Sequence, residues 1–120
     1  MNILVIDDER TFPSFEGEGV TVIYARTAEA AKDALLLAPM SAGWDEVWFD
    51  HDLGLGPDVR AVVKFMEEKA EEGVRWDKWI RRVFVHSMNP VGAANIRSRI
   101  KDFGIPTSRV GLPHGHSVIG

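Results

Sequence analysis

Apolar residues along this chain fall into short continuous runs, each breaking into polar residues, and between the runs lie segments of helical period. Asn2 to Ile6 is the first run, ending at Asp7-Asp8-Glu9, and an unbroken apolar stretch of this length fits a strand covered on both faces. Val20 to Ala25, Glu46 to Asp50 and Val83 to Val85 predict three further strands, and Arg109 to Leu112 a short fifth. The segment from Glu9 to Gly19 holds Pro13, Gly17 and Gly19 and has no helical period, so the first crossover is expected to be an irregular loop or at most one helical turn.

Three segments do carry helical signals. Thr27 is placed to cap Ala28 to Leu37, and Pro39 with Gly43 closes that helix. After Gly54-Leu55-Gly56, Pro57 stands at a helix start, and Val59, Val62, Val63, Phe65, Met66 and Ala70 recur at intervals of three and four up to Gly73. Asn89 and Pro90 form a cap and first-turn pair for a helix reaching about Phe103 and closed by Gly104. Strands alternating with helices predict a parallel sheet with right-handed crossovers in a single domain, residues 1–120.

In such a sheet, three polar clusters that each follow a strand meet at one edge: Asp7-Asp8-Glu9-Arg10, Asp50-His51-Asp52-Leu53-Gly54 and His86-Ser87-Met88-Asn89-Pro90. The carboxyl edge of an open α/β sheet is where ligands bind. Neighbouring strands lie about 4.8 Å apart, so His51 and His86 can face one phosphate from two sides. A neutral imidazole can deprotonate water while a protonated one donates to a leaving ribose oxygen, because both forms exist near neutrality. Asp50 or Asp52 would hold an imidazole in its tautomer. Ser87, Asn89 and the N-terminus of the following helix would bind phosphate oxygens, Gly54 is a further candidate for ligand binding that a tight loop would also require, and Arg10 and Arg26 are candidate charge partners. In a second arrangement Asp7, Asp8 and Asp50 hold Mg²⁺, which activates water in place of a histidine pair. The leading arrangement needs no cofactor.

Composition narrows the ligand. With 45% hydrophobic and 27% charged residues and a formal charge of -4, the chain is ordinary for a globular protein and has no basic footprint for long duplex nucleic acid. A phosphate-bearing ligand must therefore be held by local groups. The absence of cysteine excludes disulfides and thiolate chemistry, and no apolar run approaches the length of a membrane span, so a cytoplasmic setting is expected, the host cytoplasm for a phage-encoded chain.

Each feature also has a purely structural reading. An Asp-Asp-Glu after a strand is often a solvated turn, a histidine after apolar residues is often a satisfied core group, and Asn89-Pro90 is fully explained as a cap. Trp44, Trp48, Trp76 and Trp79 read first as packing residues, with stacking on a base as the minority alternative. Arg81-Arg82 is expected at the edge away from the site, and His114 and His116 as a polar tail.

Acids after strand one, an acid after strand three and a hydroxyl after strand four give the chain the layout of response-regulator receiver domains. It departs from them in three ways: no lysine follows Lys101, Leu112-Pro113-His114 taking that place; histidines stand at His51 and His86; and the first helix is lost. Asp-Asp-Glu, His-Asp-Leu-Gly and His-Ser-x-Asn-Pro, in this order, resemble the cyclic-phosphate processing receiver domains. That resemblance implies a receiver-like, flavodoxin-like, doubly wound parallel sheet of order 2-1-3-4-5 with the first helix reduced or lost, and a role with cyclic phosphates. The expected function is a phosphoesterase acting on a cyclic or terminal phosphate of a nucleotide, a nucleotide-derived signal or an RNA end. The rivals are a non-catalytic receiver module working through protein contacts, a homodimer among them, and a protein that binds a cyclic nucleotide signal without cutting it.

Overall fold

The computed structural model describes residues 1–8, 10–37, 43–50, 59–86 and 90–110. Five strands, β1 (Asn2–Ile6), β2 (Thr21–Ala25), β3 (Trp44–Asp50), β4 (Ile80–His86) and β5 (Thr107–Val110), form one parallel sheet in the order β2-β1-β3-β4-β5. The helices are α1 (Ala28–Leu37), α2 (Val59–Glu71), a single turn α3 (Trp76–Trp79) and α4 (Pro90–Lys101). This is the receiver-like α/β architecture and strand order expected from the sequence.

The local signals act as anticipated. Thr27 Oγ1 accepts the N–H of Ala30 at 3.0 Å, which caps α1. Gly104 follows α4 with φ +86°, a conformation that a side chain would strain. Gly43 has a second reason to be glycine besides its φ of +81°: a Cβ there would lie 2.6 Å from the Trp79 carbonyl oxygen. The loop before β2 contains a single 3-10 turn, Pro13–Phe15, in place of a helix.

Four element boundaries differ from the sequence reading. β3 begins two residues earlier, because Trp44 pairs with Ile80 and its indole N–H donates to the Ala34 carbonyl at 3.2 Å. β4 runs Ile80–His86 and takes in Arg81 and Arg82, both exposed, between the buried Ile80 and Val83. These arginines belong to the half of the strand away from the site, with Arg81 Nη1 3.8 Å from Asp45 Oδ1. β5 is Thr107–Val110, two residues earlier than expected, since an edge strand can be polar on an exposed face. The turn α3 is too short to show a period, yet it buries Trp76, whose indole donates to the Met66 carbonyl at 2.8 Å.

The two faces of the sheet are covered differently. Leu4, Ile6, Val47, Phe49, Val83 and Val85 point into the main core, where α1, α2, α3 and α4 all contribute side chains. Ile3 and Val5 point the other way, onto Phe12, Phe15, Val22, Tyr24 and Trp48. Among the described residues no α-helix packs there; the loop between β1 and β2 does so with its aromatic rings.

Candidate functional site

β1, β3 and β4 are adjacent and central, and their carboxyl ends are in register. Asp50 pairs with His86 across β3 and β4, and Phe49 pairs with Ile6 across β3 and β1. Asp7 directly follows Ile6 and prolongs the β1–β2 ladder, its N–H donating to the Ala25 carbonyl at 3.1 Å. One row across the sheet edge therefore holds the positions Asp7, Asp50 and His86, spanning two strand spacings, roughly 10 Å.

Asp7 is 1% exposed and His86 7%, the two buried polar or charged residues among those described. A carboxylate withdrawn from water needs compensating donors and charge. Asp7 Oδ1 accepts the Arg10 N–H at 3.0 Å, and the Arg10 Nε lies 3.6 Å from Oδ2. Asp8 is partly exposed beside it.

Arg26, just past β2, acts on the same loop through its main chain. One guanidinium nitrogen, Nη1, donates to the Asp7 carbonyl at 3.2 Å and to the Arg10 carbonyl at 2.6 Å. The guanidinium stacks over the Tyr24 ring, 4.7 Å from its centroid, and the Tyr24 hydroxyl in turn accepts the Phe12 N–H at 2.9 Å. Arg10 and Arg26 thus converge on the acid loop: one offsets the Asp7 charge and the other pins the chain on either side of the turn.

Of the remaining candidates, Asp50 is placed by its backbone, and His51, Asp52, Gly54, Ser87 and Asn89 lie outside the described residues, as do Glu9, His114 and His116. The register sets Asp50 rather than His51 opposite His86. Among the described residues no three histidine or acidic side chains come together as a metal site. No helix among them is long and apolar enough to cross a membrane.

Two structural contributors escape a motif-based reading. Tyr24 and Phe12 position the acid loop, and the available signal was that the chain's single tyrosine stands near the end of a strand, two residues before an arginine. The aromatic pair Trp48 and Phe84 stacks with ring centroids 4.4 Å apart and planes 22° apart, two residues before Asp50 and His86 on the same strands. Strand alternation puts Phe84 on the same face as His86.

A parallel sheet of this order with acids at the carboxyl end of its first strand defines a receiver-like protein, here with a histidine at the end of β4. The family model for the cyclic-phosphate processing receiver domain matches residues 2–102, and the chain belongs to that family. No curated protein and no solved structure shows a significant match. The domain is thus a receiver-like member of a family involved in cyclic-phosphate processing.

Proposed function

We propose that the protein is a phosphoesterase that opens a cyclic phosphate, or removes a terminal one, on a nucleotide, a nucleotide-derived signal or an RNA end. The observation that carries this reading is the register pairing of Asp50 with His86 at the carboxyl edge, beside the buried Asp7, in a chain of this family. Asp50, the register neighbour of His86, orients its imidazole by fixing the tautomer. His86 and His51 act as the acid and base pair: one takes a proton from water as its oxygen bonds to phosphorus, and the other gives a proton to the ribose oxygen as the P–O bond of the ring breaks. The product is a phosphomonoester with a free hydroxyl. Ser87, Asn89 and the amide groups at the start of α4 bind the phosphate oxygens. Asp7, Arg10 and Arg26 set the wall of the site on the β1 side.

In a metal-assisted variant Asp7, Asp8 and Asp50 would hold Mg²⁺, and the ion would supply the activation of water that the histidines otherwise provide. The variant is separable in the same experiment. Phosphorus NMR of the protein with 2',3'-cyclic nucleotides, ADP-ribose cyclic phosphate and cyclic oligonucleotides, with and without EDTA, reads the product directly. A new monoester resonance that survives EDTA is the expected result. Loss with EDTA and recovery with Mg²⁺ assigns the chemistry to the acids. Broadening of the ligand resonance without product makes the protein a binder of the signal, and an unchanged spectrum across the panel overturns the proposal in favour of a protein-contact module.

A further inference from the structure

The sheet face that carries His86 also carries a line of aromatic rings that stops short of the sheet's edge. Phe12 meets Phe15 with centroids 5.5 Å apart, Phe15 meets Trp48 at 4.9 Å, and Trp48 stacks on Phe84 at 4.4 Å. Trp48 is engaged on two sides, and its indole N–H is fixed by Glu46 Oε1 at 2.9 Å, so its ring cannot readily turn. Phe84 is the last rung. It is half-buried, and among the described residues its ring contact is with Trp48. On the far side the next strand places Ser108 opposite Phe84 in register, and Ser108 is exposed. Ser108 is thus a small residue beside the terminal ring of the line, the position where a further flat ring would extend the stack.

Phe84 lies one strand repeat, about 6.6 Å for two residues, below His86 on the same face, and Ser108 lies one strand of about 4.8 Å further over, so the position is roughly 8 Å from His86. A sugar bridges a phosphate and a base over a step of that order. We infer that the slot over Ser108, against the outer side of Phe84, seats the aromatic base of the ligand whose phosphate lies at His86, so that the protein selects nucleotides over sugar phosphates. The inference rests on the phosphate site proposed above and names what that site takes. Stacking against a phenyl ring makes the slot tolerant of base identity, since every base offers a π-face. The other occupants to be weighed are a second copy of the chain and the chain's own residues 111–120.

The test compares adenosine 2',3'-cyclic phosphate, the 2,3-cyclic phosphate of 1-O-methylribose and free adenosine. Affinity is read as Kd where the ligand persists and as kcat/KM where it is turned over. The base is expected to confer an advantage of roughly 5- to 150-fold over the sugar phosphate. Ser108→Phe, which fills the slot from an exposed edge position, and Phe84→Leu, which keeps apolar volume without a ring, should each bring that ratio close to one. In NMR spectra the adenine protons should show nuclear Overhauser contacts to the Phe84 ring. Equal handling of the nucleotide and the sugar phosphate overturns the slot and leaves the phosphate site standing. Adenosine bound at Phe84 with neither phosphate recognised upholds the slot and overturns the phosphate site, and failure of all three ligands overturns both. Contacts to the Phe84 ring from Val118 or Ile119, or from a second copy in a mixed-label sample, give the slot to those occupants and sink the inference.

Discussion

Arg26 donates one nitrogen to two carbonyls, those of Asp7 and Arg10, and lays its guanidinium on Tyr24. A lysine keeps the charge and a nitrogen able to donate twice, but it lacks the planar guanidinium that lies on Tyr24 and fixes the direction of both N–H groups. Arg26→Lys should lower stability by about 1–2 kcal/mol, the scale of hydrogen bonds to a charged donor, and should reduce kcat/KM because the turn that holds Asp7 loosens. An unchanged urea midpoint would show that the two bonds do not hold the loop. At His86 the main loss is expected in chemistry: His86→Asn should cut turnover by at least roughly 100-fold, the lower end for a lost acid or base, measured on protein shown to be folded, since a side chain only 7% exposed also contributes to stability. Full activity in that variant excludes histidine chemistry at this position. His86 was legible in the sequence as a histidine ending an apolar run. Its pairing with Asp50 rather than His51 was not, since register depends on how two strands align and a one-residue shift changes every partner. Arg26 was legible as a charge near the site but not as a clamp, because main-chain carbonyls leave no mark in the sequence.

Between elements, the best-defined polar tie joins α2 to α4: Arg99 Nε and Nη2 donate to Glu67 Oε2 and Oε1 at 3.0 and 2.7 Å. The paired Arg99 hydrogen bonds hold the Glu67 carboxyl below its ordinary value against the opposing effect of burial, with charge attraction adding to them. A lowered folded-state value means that the stabilisation is complete above the ordinary glutamate range and fades as pH falls through the lower folded value. The side chains are 27% and 39% exposed, so solvent screening keeps the tie to under about 1 kcal/mol. Glu67→Gln should therefore lower the urea midpoint slightly at pH 7, and the gap to wild type should narrow as pH falls below the ordinary glutamate range and shrink in 1 M salt. A gap that does not narrow with falling pH would mean that Glu67 acts through packing. Elements with period and caps, α1, α2 and α4, were readable to within a few residues. β4 was read short and β5 late because arginine, threonine and serine on exposed faces hide strand residues from an apolar-run criterion, and α3 was missed because four residues show no period.

At the scale of the whole molecule, the described residues give the sheet a helical side and a loop side, and the candidate site lies at the carboxyl edge between them. The strand order was legible because the order of acids, histidines and caps along the chain fits one known layout. The uneven cover was foreshadowed by the missing first helix, but the aromatic replacement was not, since Phe12, Phe15, Trp48 and Phe84 are far apart in sequence and meet through the parallel pairing of β1, β3 and β4. On the helical side α1, α2, α3 and α4 share the core. On the loop side Phe12, 7% exposed, closes a cluster whose other buried members are Ile3 and Val5. Phe12→Ala should thus cost about 3 kcal/mol, the low end for a buried phenylalanine, a large share of a domain's typical 5–15 kcal/mol. The same loop carries Arg10 and is tied to Tyr24 through the Phe12 N–H, which the substitution leaves in place. Losing the ring frees the loop while keeping that bond, so phosphate affinity should fall along with stability. Denaturant titration and calorimetry on the same variant separate the cases: a stability loss with unchanged affinity would mean that the acid loop is held by Arg26 and Tyr24 alone. Parallel losses would show that the aromatic cover on the loop side also holds the site in shape.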